Sequence, residues 1–361
     1  MAGMDIAEKY RARFLDNEVF CGVTREAVDQ LPTIDITPFV ENGSVEAKRQ
    51  VAEKLRDACL NIGFFYLTGH GIPPEEMDAS LRHAADLFAL PESEKQKLHT
   101  LHNEGFNGWL PSDQENFYGV PDSKPDAKET MVFSREIEPG DPTADAPNVG
   151  ANVYPPATIL PDFEAFTKKL MAHYQRVAET LLRPFALSLG LDEEYFGPLH
   201  TFPIGVTRMH YYPSVTEEDI ASQRWSCGPH TDYLGITLLQ QDDVGGLEVY
   251  NCAGEWIPAP PIPGTLVVNV GDLMARWTND LYTSTPHRVR NISGSTRYSI
   301  AYFFSPGRTM IECLDVCQSE DNPARYPPVD AIDYAVSALM ETYSDELMSE
   351  QYVGRTAAAT T

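Results

Sequence analysis

The sequence predicts a mainly β protein with helices: a β core of barrel or double-sheet jelly-roll type, preceded by a helical N-terminal region and one long supporting helix. From about Ile204 onward the chain is a series of short β-type runs separated by turn residues, the pattern of a barrel or jelly roll. Before residue 200 the apolar residues recur mainly at helical spacing. With 361 residues, 42% of them hydrophobic, the chain can bury a substantial core.

Ser44 is placed to cap a helix carrying Val51, Leu55, Ala58 and Ile62, stopped at Gly63. FFYLTG then reads as a buried strand. Pro73 and Pro74 open a second helix with Met77, Leu81, Ala84 and Phe88 on one face, and LPESEKQKL follows as a turn and a charged helical segment. Residues 103–160, rich in Pro, Gly, Asn and Asp, read as a long surface or site-covering loop. A longer helix starts near Asp162 with Phe163, Phe166, Leu170, Tyr174, Val177 and Leu181 as its stripe, kinks or breaks at Pro184 and ends by Gly190. The β half runs GVTRMHYY, GITLLQ, GGLEVY, GEWIPA, GTLVVNV, LYTSTPHRV and RYSIAYFF. Gly245–Gly246, NCAG and IPG supply its turns.

With 27 Lys+Arg against 53 Asp+Glu the net charge is −26, a field that repels phosphate backbones and anionic membranes, so neither nucleic acid nor membrane is expected as a partner. The charged N-terminal stretch lacks the apolar region of a signal peptide, and a cytoplasmic protein is expected, monomeric or weakly homo-oligomeric. The six cysteines are scattered, which argues for free thiols; Cys313 and Cys317, with three residues between them, lack a second Cys or His pair that would complete a zinc site.

The chemistry-bearing stretch is GPHTDYLGITLL, residues 228–239. In an extended chain His230 and Asp232 point to one face, so both can reach one ion. STPHRV supplies His287, 57 residues after His230 and several strands later. Two histidines and a carboxylate make the facial triad of non-heme Fe(II) oxygenases, which leaves coordination positions open. The other histidines lie in turns, on helices or in charged segments and are read as structural or solvated. Ten residues past His287, Arg297 and Ser299 share a strand face; an arginine in so apolar a run needs an anion, either an acidic side chain or the carboxylate of a cosubstrate.

These residues resemble the iron- and 2-oxoglutarate-dependent oxygenases of the isopenicillin N synthase-like superfamily, and the resemblance covers nearly the whole chain. LPTIDITPFV, GFFYLTGHGIP and LFALPESEKQKL look like the family's N-terminal region, and residues 204–306 like its double-stranded β-helix. The implied division is an N-terminal dioxygenase region over 1–125, a connecting loop and long helix over 126–200, the catalytic double-stranded β-helix over 201–310 and a C-terminal segment over 311–361. By resemblance, His230, Asp232 and His287 are the Fe(II) ligands, and Arg297 with Ser299 holds the distal carboxylate of 2-oxoglutarate. Where the family often has N-Y-Y-P this chain has HYYP, so Tyr212 carries over as a cosubstrate neighbour while His210 departs from the pattern.

The implied activity is oxidation, chiefly hydroxylation, of a small organic molecule with 2-oxoglutarate and O2 as cosubstrates and succinate and CO2 as products. GDLMARWTND is similar to microbial small-molecule hydroxylases, including thymine 7-hydroxylase-like enzymes, and the protein is accordingly placed in secondary metabolism. Phe106, Asn107 and Trp109 in the loop, Arg208, Tyr233 and Phe304 are the candidate substrate contacts. Three alternatives stay open at this point: a four-electron oxidase of the same superfamily that needs no 2-oxoglutarate, a zinc hydrolase on the same ligands, and a non-catalytic metal-binding module.

Overall fold

The computed structural model describes residues 6–15, 24–103, 105–116, 123–137, 139–144, 146 and 150–342. Its centre is an eight-stranded sheet facing a four-stranded one. The strands in chain order are β1 (Thr33–Asp35), β2 (Phe64–Thr68), β3 (Gly108–Leu110), β4 (Glu129–Ser134), β5 (Ile204–Tyr212), β6 (Cys227–His230), β7 (Ile236–Gln241), β8 (Leu247–Tyr250), β9 (Trp256–Pro258), β10 (Leu266–Val270), β11 (His287–Val289) and β12 (Arg297–Ser305). The large sheet has the order β1-β2-β10-β7-β12-β5-β4-β3 and the small one β6-β11-β8-β9. Only β1 and β2 pair in parallel within these two sheets. The arrangement is a jelly roll with helices packed outside it.

Side-chain alternation along β12 sorts the interior. Ile300, Tyr302 and Phe304 face the outer helices and join the main hydrophobic core, while Arg297, Ser299, Ala301 and Phe303 face inward and line a cavity between the sheets. The long helix Phe163–Ser188 covers the outer face. Its Tyr174 stacks on Tyr302 at 5.7 Å and donates a 2.8 Å hydrogen bond to Gln240. Pro184 does not break it: the helix runs on to Ser188, because lateral packing of Leu181, Leu182 and Phe185 outweighs one lost hydrogen bond. The helix capped by Ser44 (Val45–Asn61) and the one opened by Pro73 and Pro74 (Pro74–Phe88) lie where periodicity and caps place them.

The stretch 103–160 is not simply a loop. The run Thr130–Phe133 forms most of β4, which pairs with β5 and carries β3 at its edge; over so long a window the polar composition masked a short apolar run. Of LYTSTPHRV, only His287–Val289 is strand; the preceding residues are buried coil. GDLMARWTND begins as the short helix Asp272–Trp277. After β12 two short strands, Met310–Ile311 and Val329–Asp330, pair antiparallel across a long intervening segment, and the C-terminal helix Ala331–Thr342 then returns to the cavity. Among the described residues no helix is long and apolar enough to cross a membrane. Cys59, Cys227, Cys252, Cys313 and Cys317 are free thiols, and Cys21 lies outside the described residues.

Candidate active site

His287 on β11 sits opposite His230 on β6 in the antiparallel register, and their rings are 4.2 Å apart. Asp232 is not on the strand that follows it: β6 ends at His230 and β7 starts at Ile236, so the carboxylate comes from the intervening loop. The loop turns it back, with Asp232 Oδ1 3.7 Å from His230 Nε2 and 3.6 Å from His287 Nε2. One ligand atom from each of the three residues lies within 4.8 Å of the others, and no other such group occurs among the described residues.

The environment prepares these atoms for a cation. His230 Nδ1 is 2.8 Å from the Gly228 carbonyl and His287 Nδ1 3.2 Å from that of Thr285. A carbonyl only accepts, so each Nδ1 carries a proton, and Nε2 is the atom that each ring turns to the centre. Burial and then the neighbouring His287 push the His230 imidazole far below its ordinary range, so it stays neutral. Burial alone would raise the Asp232 carboxyl, but His287 and His230, with hydrogen bonds from Thr237 (2.5 Å) and Asn269 (2.7 Å) to Oδ2, hold it below the usual range. Oδ2 is thereby committed and Oδ1 remains. Two imidazoles and one carboxylate on one side of a point fit a divalent iron with open positions.

Behind the triad Arg297 is completely buried. Its Nη2 donates to Gln241 at 3.0 Å, and its Nε and Nη1 have no hydrogen-bond partner, so two buried donors await an acceptor. Ser299 and Tyr212 lie on the same cavity wall, opposite His210 and Arg297 respectively in the β5–β12 register. Burial pushes the Tyr212 phenol up to about 12, so it remains a donor. A distal carboxylate would satisfy these groups together.

The other half of the cavity is more apolar, with Phe106, Val132, Ile204, Val206, Leu234, Phe303, Ala335 and Leu339. Tyr233 and Arg208 line it as well, and Arg208 pairs with buried Glu115 at 2.7 Å. Three expected contacts lie elsewhere. Phe304 points out of the cavity and stacks on His200, so its neighbour Phe303 takes the inward place. Asn107 is a structural tie, donating to the Gly150 and Ala151 carbonyls and accepting from Ser134. Trp109 donates to Glu129 in the sheet edge.

Sequence reasoning missed the buried set around β4. Lys128 lines the cavity, 2.6 Å from Asp126 and 3.3 Å from Glu115. Thr130 lies 3.1 Å from His210 Nδ1, which gives that departure from the family pattern a partner on the neighbouring strand. The alternation of Lys128, Thr130, Val132 and Ser134 was the available signal. Ala335 and Leu339 were missed too, although they stand four apart on a helix.

A model of the 2OG-Fe(II) oxygenase superfamily matches residues 203–306, and one of the non-haem dioxygenase N-terminal region matches 31–157. The 2-oxoglutarate-Fe(II) type oxidoreductase hxnY of Emericella nidulans is 35% identical over 86% of this chain and 90% of its own. The 2-oxoglutarate-dependent dioxygenase citB of Monascus ruber is 36% identical over 76% and 84%. Among solved structures, a full-length Neurospora crassa protein in complex with alpha-KG and thymine superposes with a TM-score of 0.76 at 30% identity, covering 86% of this chain and 96% of that one.

Proposed function

The chain belongs to the 2OG-Fe(II) oxygenase superfamily and is a 2-oxoglutarate-dependent dioxygenase, and from that premise we propose that it hydroxylates a small, uncharged, carbonyl-bearing molecule. In this reading His230, Asp232 and His287 hold the iron, and Arg297, Ser299 and Tyr212 hold the distal carboxylate of 2-oxoglutarate. The observation that supports it best is the pairing of a three-ligand cluster with an arginine that has two buried donors unmet.

Bound Fe(II) supplies the redox chemistry that couples decarboxylation of 2-oxoglutarate by O2 to attack on a substrate C–H bond. The chain's part is to bind and orient. The Gly228 and Thr285 carbonyls fix the imidazole rings, and Thr237 and Asn269 fix the carboxylate. Arg297 sets the depth of the cosubstrate. The apolar wall excludes water from the reacting face and places the substrate carbon.

The charges around the cavity favour an uncharged substrate. Lys128 is matched by Asp126 and Glu115, and Arg208 by Glu115, so a substrate carboxylate would find no uncommitted cation among the described lining residues once 2-oxoglutarate occupies Arg297. Arg208 can still donate to a neutral carbonyl. The Neurospora crassa protein was crystallised with thymine and with 5-formyluracil, rings of that class.

The test is succinate release with Fe(II) and 2-oxoglutarate across nucleobases, amino acids, alkaloids and terpenoids. Neutral carbonyl-bearing rings should stimulate it, with one hydroxylated product per succinate. Stimulation confined to carboxylates would refute the substrate class.

A further inference from the structure

The loop carrying Asp232 is tied to the helix Asp272–Trp277 at several points. The Asp272 backbone N–H donates to the Asp232 carbonyl at 2.7 Å, and the Leu273 N–H to that of Tyr233 at 3.2 Å. The Asp272 side chain is partly buried, with one oxygen on each side of a bridge. Thr231, between the two loop ligands, donates to Oδ2 at 3.0 Å. Arg13 approaches Oδ1 at 3.3 Å.

Arg13 belongs to a short N-terminal arm, Ile6–Leu15, that lies ahead of both matched regions. The arm is seated by Tyr10 and Phe14 against Tyr250 and Ala275, the latter on the same short helix. Arg13 is anchored on Asp280 at 2.7 Å, and Asp280 is held in turn by Arg325 and Tyr326. A cation fixed at its far end thus lies against a partly buried carboxylate that grips the ligand loop.

We propose that Asp272 is a positioning residue for the metal-ligand loop and that the N-terminal arm, through Arg13, locks it in place, so that a segment outside the jelly roll sets Fe(II) affinity. A partly buried carboxylate keeps the orientation that its partners impose on it. Arg13 on Oδ1 turns the other carboxylate oxygen, Oδ2, toward the Thr231 hydroxyl; without that contact the carboxylate is free to rotate toward water, which loosens Thr231 between His230 and Asp232. The proposal rests on the reading of those two residues and His287 as metal ligands.

The test titrates Fe(II) anaerobically into full-length protein holding 2-oxoglutarate, following the visible charge-transfer band, and measures the thermal midpoint of the metal-free protein. The forms compared are the parent, Arg13→Leu, Arg13→Lys, Thr231→Val, the Arg13→Leu/Thr231→Val double variant, and His230→Ala as the control for the ligand reading. Arg13→Leu should raise the Fe(II) Kd about tenfold, the scale of lost support around metal ligands. Arg13→Lys should recover most of this, and the double variant should be no weaker than the weaker single one, because both cut the same link. A Kd within twofold of the parent for Arg13→Leu overturns the brace, as do strictly multiplicative losses in the double variant. A Kd change that Arg13→Lys fails to recover, with a metal-free midpoint lowered to match, also overturns it and makes the arm merely structural. Should His230→Ala bind Fe(II) like the parent, the ligand reading fails instead, a distinct result.

Discussion

The guanidinium of Arg297 lies 4.9 Å over the ring of Tyr212, its direct partner in the β5–β12 register. The phenol face and the Gln241 amide hold the arginine extended before any anion arrives, so the cosubstrate meets a preformed fork.

Replacing Arg297 by Leu should raise the KM for 2-oxoglutarate by tens-fold or more, since a buried charge-assisted pair is worth about 2–5 kcal/mol. Ser299→Ala removes one hydrogen bond and should cost about 1–2 kcal/mol. Succinate formation against 2-oxoglutarate concentration checks both; equal effects would mean that the fork does not carry the carboxylate.

Alanine at His230, Asp232 or His287 should remove bound iron and turnover while the far-ultraviolet circular dichroism stays that of the parent, because the three side chains stand at a cavity wall and not in the main core. Metal analysis after dialysis, with a chelator-treated parent as reference, decides it. Full activity in two of the three variants would exclude the ligand set.

Ala335→Phe should fill the apolar half of the cavity from the C-terminal helix. Affinity for 2-oxoglutarate should hold within about threefold, while substrate-coupled turnover falls far more. The readout is the ratio of product to succinate, which drops only if this wall touches the substrate.

Gly271→Ala should strain the ligand loop, since a methyl there would sit 2.1 Å from the Leu234 carbonyl and 3.0 Å from that of Asp232. Overpacking of this kind costs about 1–3 kcal/mol. Chemical denaturation gives the stability loss, and iron titration should show a weaker centre; an unchanged protein would mean that the loop yields freely.

Acid should unfold the metal-free protein partly through His200. Burial lowers its imidazole to about 4, against the ordinary 6.5, so the unfolded chain takes up a proton that the native one refuses. Stability is therefore complete above about pH 6.5 and falls by up to about 1.4 kcal/mol per pH unit toward pH 4. His200→Phe, which keeps an aromatic ring on Phe304, should flatten that slope by about one proton in urea titrations at several pH values.

How much of this was legible in the sequence depends on what each signal reports. Helical stripes and caps placed the helices well, because several residues of one period agree with one another. The short β runs after Ile204 gave the jelly roll for the same reason. Single inward or outward assignments were less secure: Phe304 and Phe303 differ by one position, and in a strand one position is the opposite face. His230, Asp232 and His287 were singled out by residue type and spacing, but the expected continuous strand through Asp232 is a loop folded back by the Asp272 helix. Alternation aligns Lys128 with Val132 and Ser134, but Asp126 and Glu115 carry no such signal, because charges in a polar stretch read as surface until a neighbouring strand closes over them. Ala335 and Leu339 were passed over because nothing in a helix pattern says which cavity its apolar face will cover.

The cavity draws on Phe64 near one end of the described chain and Leu339 near the other, and β2 is zipped to β10 across some two hundred residues. Such pairings are slow to form, since distant segments must meet before either gains stability. During synthesis the two histidines and the aspartate therefore emerge before the wall that shields them is complete. Until that wall closes the centre is half-built, so slow-folding variants should accumulate as metal-poor protein even where every ligand is intact.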